Sequence, residues 1–234
     1  MASRLTTYTL KRTVRFIGGV AALLIGTFIL AMFLVRAFTI RDIIVDAPGM
    51  TIELDREKFG KNLLFLPVST FRKELLSSYP LLKDVSFERK FPGTLVVHLM
   101  KRPTFVLIES AGNIYELDEY GLILGSVGRK DTHPLLVFDV GILSTGGRVT
   151  DDRVESALSF LRQMKGNAGI SVIAPRDTQS LFAKLGNTNI FLPQTGDLSA
   201  KADTLQIIVE GFRMKGTLPT VIDLRFEKPV ITNY

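Results

Sequence analysis

Residues Leu82–Arg102 read LKDVSFERKFPGTLVVHLMKR, and this stretch decides how the rest of the chain is divided. Val85 and Phe87 alternate with Ser86 and Glu88. After Pro92-Gly93, the residues Leu95, Val97 and Leu99 alternate again. Period-two patterning on both sides of a Pro-Gly turn predicts an antiparallel hairpin with one face toward a core. His98 has the parity of Val96 and Met100 and is expected on the outer, solvated face. The basic pairs Arg89-Lys90 and Lys101-Arg102 fall at opposite ends of the hairpin and form no single patch. Charges so placed discourage edge-to-edge aggregation.

Upstream, a helix starts near Pro67, where proline is tolerated in a first turn. It continues through Phe71–Leu76, with Ser69 or Thr70 as its expected cap. Tyr79-Pro80 ends it, because the residue before proline resists the α region. Ile52–Phe59, closed by Gly60, is a first helical segment. Phe38–Val45, FTIRDIIV, is β-branched and aromatic and reads as a strand before a Pro48-Gly49 turn. The order is β-α-α-β-β across residues 38–102.

Farther upstream lies Phe16–Val35, FIGGVAALLIGTFILAMFLV, twenty residues without a charge. At ~1.5 Å rise per residue the run spans ~30 Å, the thickness of a bilayer's hydrocarbon. A transmembrane helix is expected over 16–36, with 1–15 as a short tail. The run exceeds a secretory apolar region, and Val35-Arg36-Ala37 fits a cleavage site poorly, so an uncleaved anchor is expected. Ala22 and Gly26 form a small-xxx-small pair of the kind found at membrane helix contacts. The formal charge of +6 belongs to this flank. Arg4, Lys11, Arg12, Arg15 and Arg36 account for five basic residues, leaving 24 against 23 acids. The excess is therefore no sign of nucleic-acid binding. Basic residues before the run put the N-terminus in the cytoplasm and the body outside.

Downstream of Pro103 the texture changes. Phe105–Glu109, Asn113–Asp118 and Gly121–Gly125 read as a meander of antiparallel strands, and Leu135–Phe138 as a further strand. Gly141–Gly147 is a loop. Asp152–Lys165 is an amphipathic helix through Val154, Ala157, Leu158, Leu161 and Met164, with Asp152 and Glu155 as a capping box. Ile170–Ile173, Ser180–Leu185 and Asn189–Leu192 are strands, Leu198–Phe212 a second helix, and Pro219–Phe226 and Val230–Thr232 closing strands. The fold class is α+β: one N-terminal transmembrane helix, the β-α-α-β-β domain, then a mixed antiparallel β domain with two helices over residues 103–234.

No catalytic constellation emerges. The chain has no cysteine, which removes disulfides, thiolate metal sites and a cysteine nucleophile. Its two histidines, His98 and His133, fall in different domains, without carboxylates at metal-ligand spacing. Asp151-Asp152 reads as helix N-terminal charge, and Asp118-Glu119 as a solvated turn. Neither a nucleophile elbow nor a Walker loop is present. No cofactor, metal, nucleic acid or small-molecule substrate is expected. Val221–Phe226 alternates and precedes one short strand. It is expected at a sheet edge, where Val221, Ile222, Asp223, Leu224, Arg225 and Phe226 could receive a partner strand.

These segments together resemble the FtsQ/DivIB family of bitopic bacterial cell-division proteins. The resemblance is carried by Phe38-x-Ile40 with Ile43-x-Val45, Gly60-Lys61-Asn62-Leu63-Leu64-Phe65, and Tyr79-Pro80-Leu81-Leu82-Lys83-Asp84-Val85. Arg89-Lys90-Phe91-Pro92-Gly93-Thr94-Leu95, Lys101-Arg102-Pro103, Gly112-x-x-Tyr115-x-Leu117-Asp118-x-x-Gly121 and Ile222-Asp223-Leu224-Arg225-Phe226 complete it. Met100 departs from the pattern, where the family usually has an acid. The resemblance implies a POTRA domain at 38–102 and the family's β domain at 103–234. It implies a non-enzymatic scaffold at the division septum of the cytoplasmic membrane, held in the bilayer through Phe16–Val35. FtsB- and FtsL-type partners would bind outside the membrane, with a C-terminal strand pairing with FtsB, and link the scaffold to septal peptidoglycan synthesis. The alternatives are a POTRA protein of envelope transport or assembly, and an anchored envelope enzyme. The first would need ~8 or more amphipathic membrane strands, and the second a convergent acid, base or nucleophile set.

Overall fold

The computed structural model describes residues 3–50, 52, 54, 59, 62–128, 133–164, 169–214 and 216–232, with side chains from Gly18 onward. Two compact units are present, one ending at Lys101 and the other starting at Arg102.

The first unit begins with α1, Ser3–Ala37. Its Gly18–Ala37 part is long and apolar enough to cross a membrane, with a mean hydropathy of 2.4 and none of that window buried among the described residues. Then come β1 (Asp42–Asp46), α2 (Val68–Ser78), β2 (Leu82–Lys90) and β3 (Thr94–Lys101). β3 is central, parallel to β1 and antiparallel to β2. Leu95, Val97 and Leu99 of β3 and Leu82 and Val85 of β2 are buried with Phe59, Leu63 and Leu66, as the hairpin pattern requires. Phe71, Leu75 and Leu76 of α2 pack on this core. Val96, on the outer parity, is also buried, in register with Ile44 and Glu88.

Two details differ from expectation. The first strand starts at Asp42, not Phe38, because Thr39 makes only an isolated bridge with Asn62. Helix α2 has Pro67 at its N-cap and no side-chain cap, and Ser69 and Thr70 lie within the helix. The expected Ile52–Phe59 helix falls mostly outside the described residues.

The second unit is one nine-stranded sheet. Its strands are β4 (Val106–Ser110), β5 (Asn113–Leu117), β6 (Ile123–Val127), β7 (Leu135–Val137), β8 (Ile170–Pro175), β9 (Ser180–Leu185), β10 (Thr188–Pro193), β11 (Val221–Asp223) and β12 (Val230–Thr232). Their order is β12-β11-β10-β9-β8-β7-β4-β5-β6. Hairpins make β4-β5-β6 and β8-β9-β10 antiparallel. β4–β7, β7–β8 and β10–β11 are parallel. Helix α3 (Asp152–Gln163) joins β7 to β8, and α4 (Ser199–Met214) joins β10 to β11. A helix is the usual crossover between parallel neighbours.

Both helices bury apolar stripes, Val154, Ala157, Leu158 and Leu161 from α3 and Ala202, Leu205 and Val209 from α4. The sheet face in the same core carries one continuous row in register, Tyr115, Ile108, Leu136, Ile173, Ala183, Ile190, Ile222 and Ile231, from β5 to β12.

The α3 cap is Asp151, one residue before the expected Asp152. Its carboxylate accepts the Arg153 N–H at 2.8 Å, and Glu155 pairs with Arg162 at 2.6 Å, so no capping box forms. Asp118 is not a solvated turn residue. It is buried, accepting the N–H groups of Tyr120 (2.9 Å) and Leu122 (2.8 Å) and the Arg102 guanidinium (2.9 Å). At the β6 end of the sheet a returning loop occupies the backbone. The Gly146 N–H reaches the Ile123 carbonyl at 2.8 Å, the Ile123 N–H reaches the Gly147 carbonyl at 2.9 Å, and the Val149 N–H reaches the Gly121 carbonyl at 3.0 Å.

Candidate functional site

The expected docking segment Val221–Phe226 is not the sheet edge. β11 stops at Asp223 and is paired on both sides, parallel to β10 and antiparallel to β12. The stop has a local cause. The Asp223 carboxylate accepts the Arg225 N–H at 3.0 Å and the Arg225 guanidinium at 3.0 and 2.6 Å, an Asx-type turn that competes with the ladder. Ile222 and Leu224 are fully buried, and the Leu224 N–H is taken by the Phe191 carbonyl at 2.8 Å. Arg225 and Phe226 are exposed, and the Phe226 carbonyl accepts Lys201 Nζ at 2.6 Å.

The true edge is β12, Val230–Thr232, which no expectation had marked as a site. In the eight-residue core row the first seven side chains are buried. Ile231, the last, is 39% exposed because β12 ends the sheet among the described residues. Val230, on the opposite face, is 52% exposed and Phe226 57%. The edge therefore offers a short row of backbone groups flanked by apolar side chains on both faces.

A second row crosses the outer face of the sheet: Ala174, Phe182, Phe191, Asp223 and Val230. Phe182 and Phe191 pack with centroids 6.2 Å apart. The Arg176 guanidinium lies 4.0 Å over the Phe191 ring. Arg225 lies 5.7 Å from Phe191 and 5.5 Å from Phe226. The hydrogen bonds from Arg225 hold the Asp223 carboxyl below the usual carboxylate range, despite its partial burial. The face beside β12 is thus aromatic and cationic, with the Asp223 carboxylate held by Arg225 and Asp177 lying near both arginines. Arg176 and Phe191 carried no sequence signal, since they meet only through strand pairing.

The first unit has a comparable crossing. His98 on β3 places Nδ1 2.9 Å from Asp46 Oδ2 on β1 and Nε2 3.4 Å from Glu88 Oε2 on β2. The ring is therefore a bridge and not simply a solvated side chain. Hydrogen bonding to Asp46, then to Glu88, raises its pKa above the ordinary histidine value. Its nitrogens face different acids, and among the described residues no group of three or more His, Asp or Glu is placed to hold a metal. Phe16 and Val35, the expected limits of a membrane anchor, both lie in α1, and Val35 is exposed there.

Residues 52–102 match the family model described as POTRA domain, FtsQ-type. Comparison with curated proteins finds none that matches the chain.

Proposed function

We propose that this POTRA protein of the FtsQ/DivIB family is a non-enzymatic, single-pass scaffold of the bacterial division machinery, and that β12 is where a partner strand docks. Domain limits of 38–102 and 103–234 accompany this reading, with the N-terminus cytoplasmic and the body outside the membrane, at the septum. FtsB- and FtsL-type proteins are the partners implied, linking the scaffold to septal peptidoglycan synthesis.

The observation that carries it is the core row ending in the open at Ile231. A strand added beside β12 would continue that row, and its backbone would satisfy the free side of the edge. Arg176 and Arg225 favour an incoming strand with an acidic side chain on its outer face.

The test is Ile231→Pro in the full chain, with binding of an FtsB-type segment measured by calorimetry. Proline removes an N–H from the edge and is tolerated by the folded sheet at such a position. The expected loss is roughly ten-fold or more, with the hydrogen exchange of β3 unchanged. Intact binding would rule out docking at β12. Proline at Ile222 is a poorer probe, because that side chain belongs to the core.

A further inference from the structure

The POTRA unit is tied to the end of the apolar helix by a cluster of short contacts. The Asn62 side-chain amide donates to the Val35 carbonyl at 3.1 Å, and the Thr39 hydroxyl to the same carbonyl at 2.9 Å. The Leu63 N–H donates to the Phe38 carbonyl at 2.8 Å. On the other side, the N–H groups of Arg41 and Asp42 donate to the Gly93 carbonyl at 2.8 and 3.3 Å. A Cβ on Gly93 would sit 2.8 Å from the Thr39 carbonyl oxygen, so only glycine allows the β2–β3 turn to come this close. The Phe91 ring meets Phe38 edge-on at 5.3 Å.

Two segments distant in sequence, 62–66 and 91–93, are thereby fastened to the residues that leave the apolar helix at Ala37. Both expose an aromatic ring. Phe65 is 73% exposed and Phe91 57%. Arg36, in the last turn of the helix, and Arg41, against Gly93, are exposed, and Lys90 adjoins Phe91 and lies 3.8 Å from Glu88. Exposed phenylalanines with no core function are costly in water. Aromatic rings with nearby cations are, however, the side-chain set that settles at a membrane–water interface.

We infer that Phe91, packed on Phe38, and Phe65, on the segment tied to Phe38 through Leu63, form an aromatic collar that seats the POTRA unit in the interfacial layer of the bilayer its own helix crosses, with Arg36 and Arg41 against lipid phosphates. The occupant is the lipid surface, because the collar is continuous with the stretch already in it. This rests on the membrane anchoring proposed above. The seat fixes the unit's height and tilt on the membrane, which a single flexible link after Ala37 would leave free.

The chain contains no tryptophan, so Phe65→Trp and Phe91→Trp each give a unique reporter in the full-length chain. The chain is placed in nanodiscs of phosphatidylcholine and phosphatidylglycerol, with or without shallow-brominated acyl chains, and Phe28→Trp reports the span itself. A ring seated ~5–10 Å into the interface should emit to the blue of N-acetyl-tryptophanamide and lose roughly half its intensity to shallow bromine. Water-like, unquenched emission from the Phe65 reporter, with β3 amide protection intact, overturns the seat. The Phe91 reporter decides in the same way, and should that variant fail to fold, the Phe65 reporter decides alone. If Phe28→Trp is itself unquenched by deep-brominated lipid, the membrane anchoring fails, and the seat with it. A quenched span with aqueous collar reporters overturns the seat alone.

Discussion

Each sheet carries a polar crossing on its outer face, and the two crossings are built from opposite titrating groups. In the three-stranded sheet a histidine stands between two carboxylates, Asp46 and Glu88. In the nine-stranded sheet a carboxylate, Asp223, is held by Arg225 with Arg176 nearby. The first depends on a proton that rising pH removes. The second depends on a negative charge that falling pH removes. The sheets also differ in how much core supports them. The second buries both helices and seven members of one cross-sheet row, whereas much of the apolar surface in the first is only partly covered.

The largest expected effect tests whether those cores are separate. Phe160→Ala empties a fully buried position in α3 and should cost about 3–5 kcal/mol. Urea titration should show the second unit melting early while β2 and β3 keep their amide protection. A matching loss in β3 would break the comparison.

Asp223→Asn removes the anion from a half-shielded pair. The cost should be about 1 kcal/mol at neutral pH, discounted because the Arg225 side chain is 34% exposed. Asp223's pKa is depressed in the fold, so its contribution is complete above the unfolded value of about 3.9 and disappears as pH falls through the folded one. Stability measured from neutral pH downward should converge for the two proteins. A gap that persists in strong acid would show that the carboxylate's charge is not the cause.

Gly211 lies inside α4, and a Cβ added there would meet nothing within 4 Å. Gly211→Ala should therefore stabilise the second unit by about 0.5–1 kcal/mol, read as a higher urea midpoint. A lower midpoint would mean the helix needs the glycine.

The smallest effect is at His98, an exposed pair in salt. Its pKa is raised in the fold, so its stabilisation is complete below the unfolded value of about 6.5 and is lost as pH rises through the folded one. NMR titration should place the imidazole above 6.5, and Asp46→Asn should bring it back toward that value. Titration of the unsubstituted protein at or below about 6.5 would remove the contrast between the sheets.

Local pattern made much of this fold legible. The hairpin around Pro92-Gly93 and the stripes of α3 and α4 follow from spacing alone. What the sequence hid was non-local. Val221–Phe226 alternates for six residues, yet the Asp223 side chain turns the backbone after three, and β12 then covers the strand. Strand order decides which segment is an edge, and no periodicity encodes it. Asp118 reads as a turn acid until Arg102 reaches it from sixteen residues away. His98 similarly finds Asp46 from fifty-two residues away.

The loop laid along Gly121–Ile123 has a consequence for assembly. A strand arriving at the start of β6 would have to displace it, whereas no strand lies beyond β12 among the described residues. The two ends of the sheet therefore differ: the start of β6 is occupied by the chain's own loop, and β12 has no described strand beyond it. Head-to-tail joining of copies through β6 would have to break those hydrogen bonds, which favours a closed pair or one partner strand over a filament.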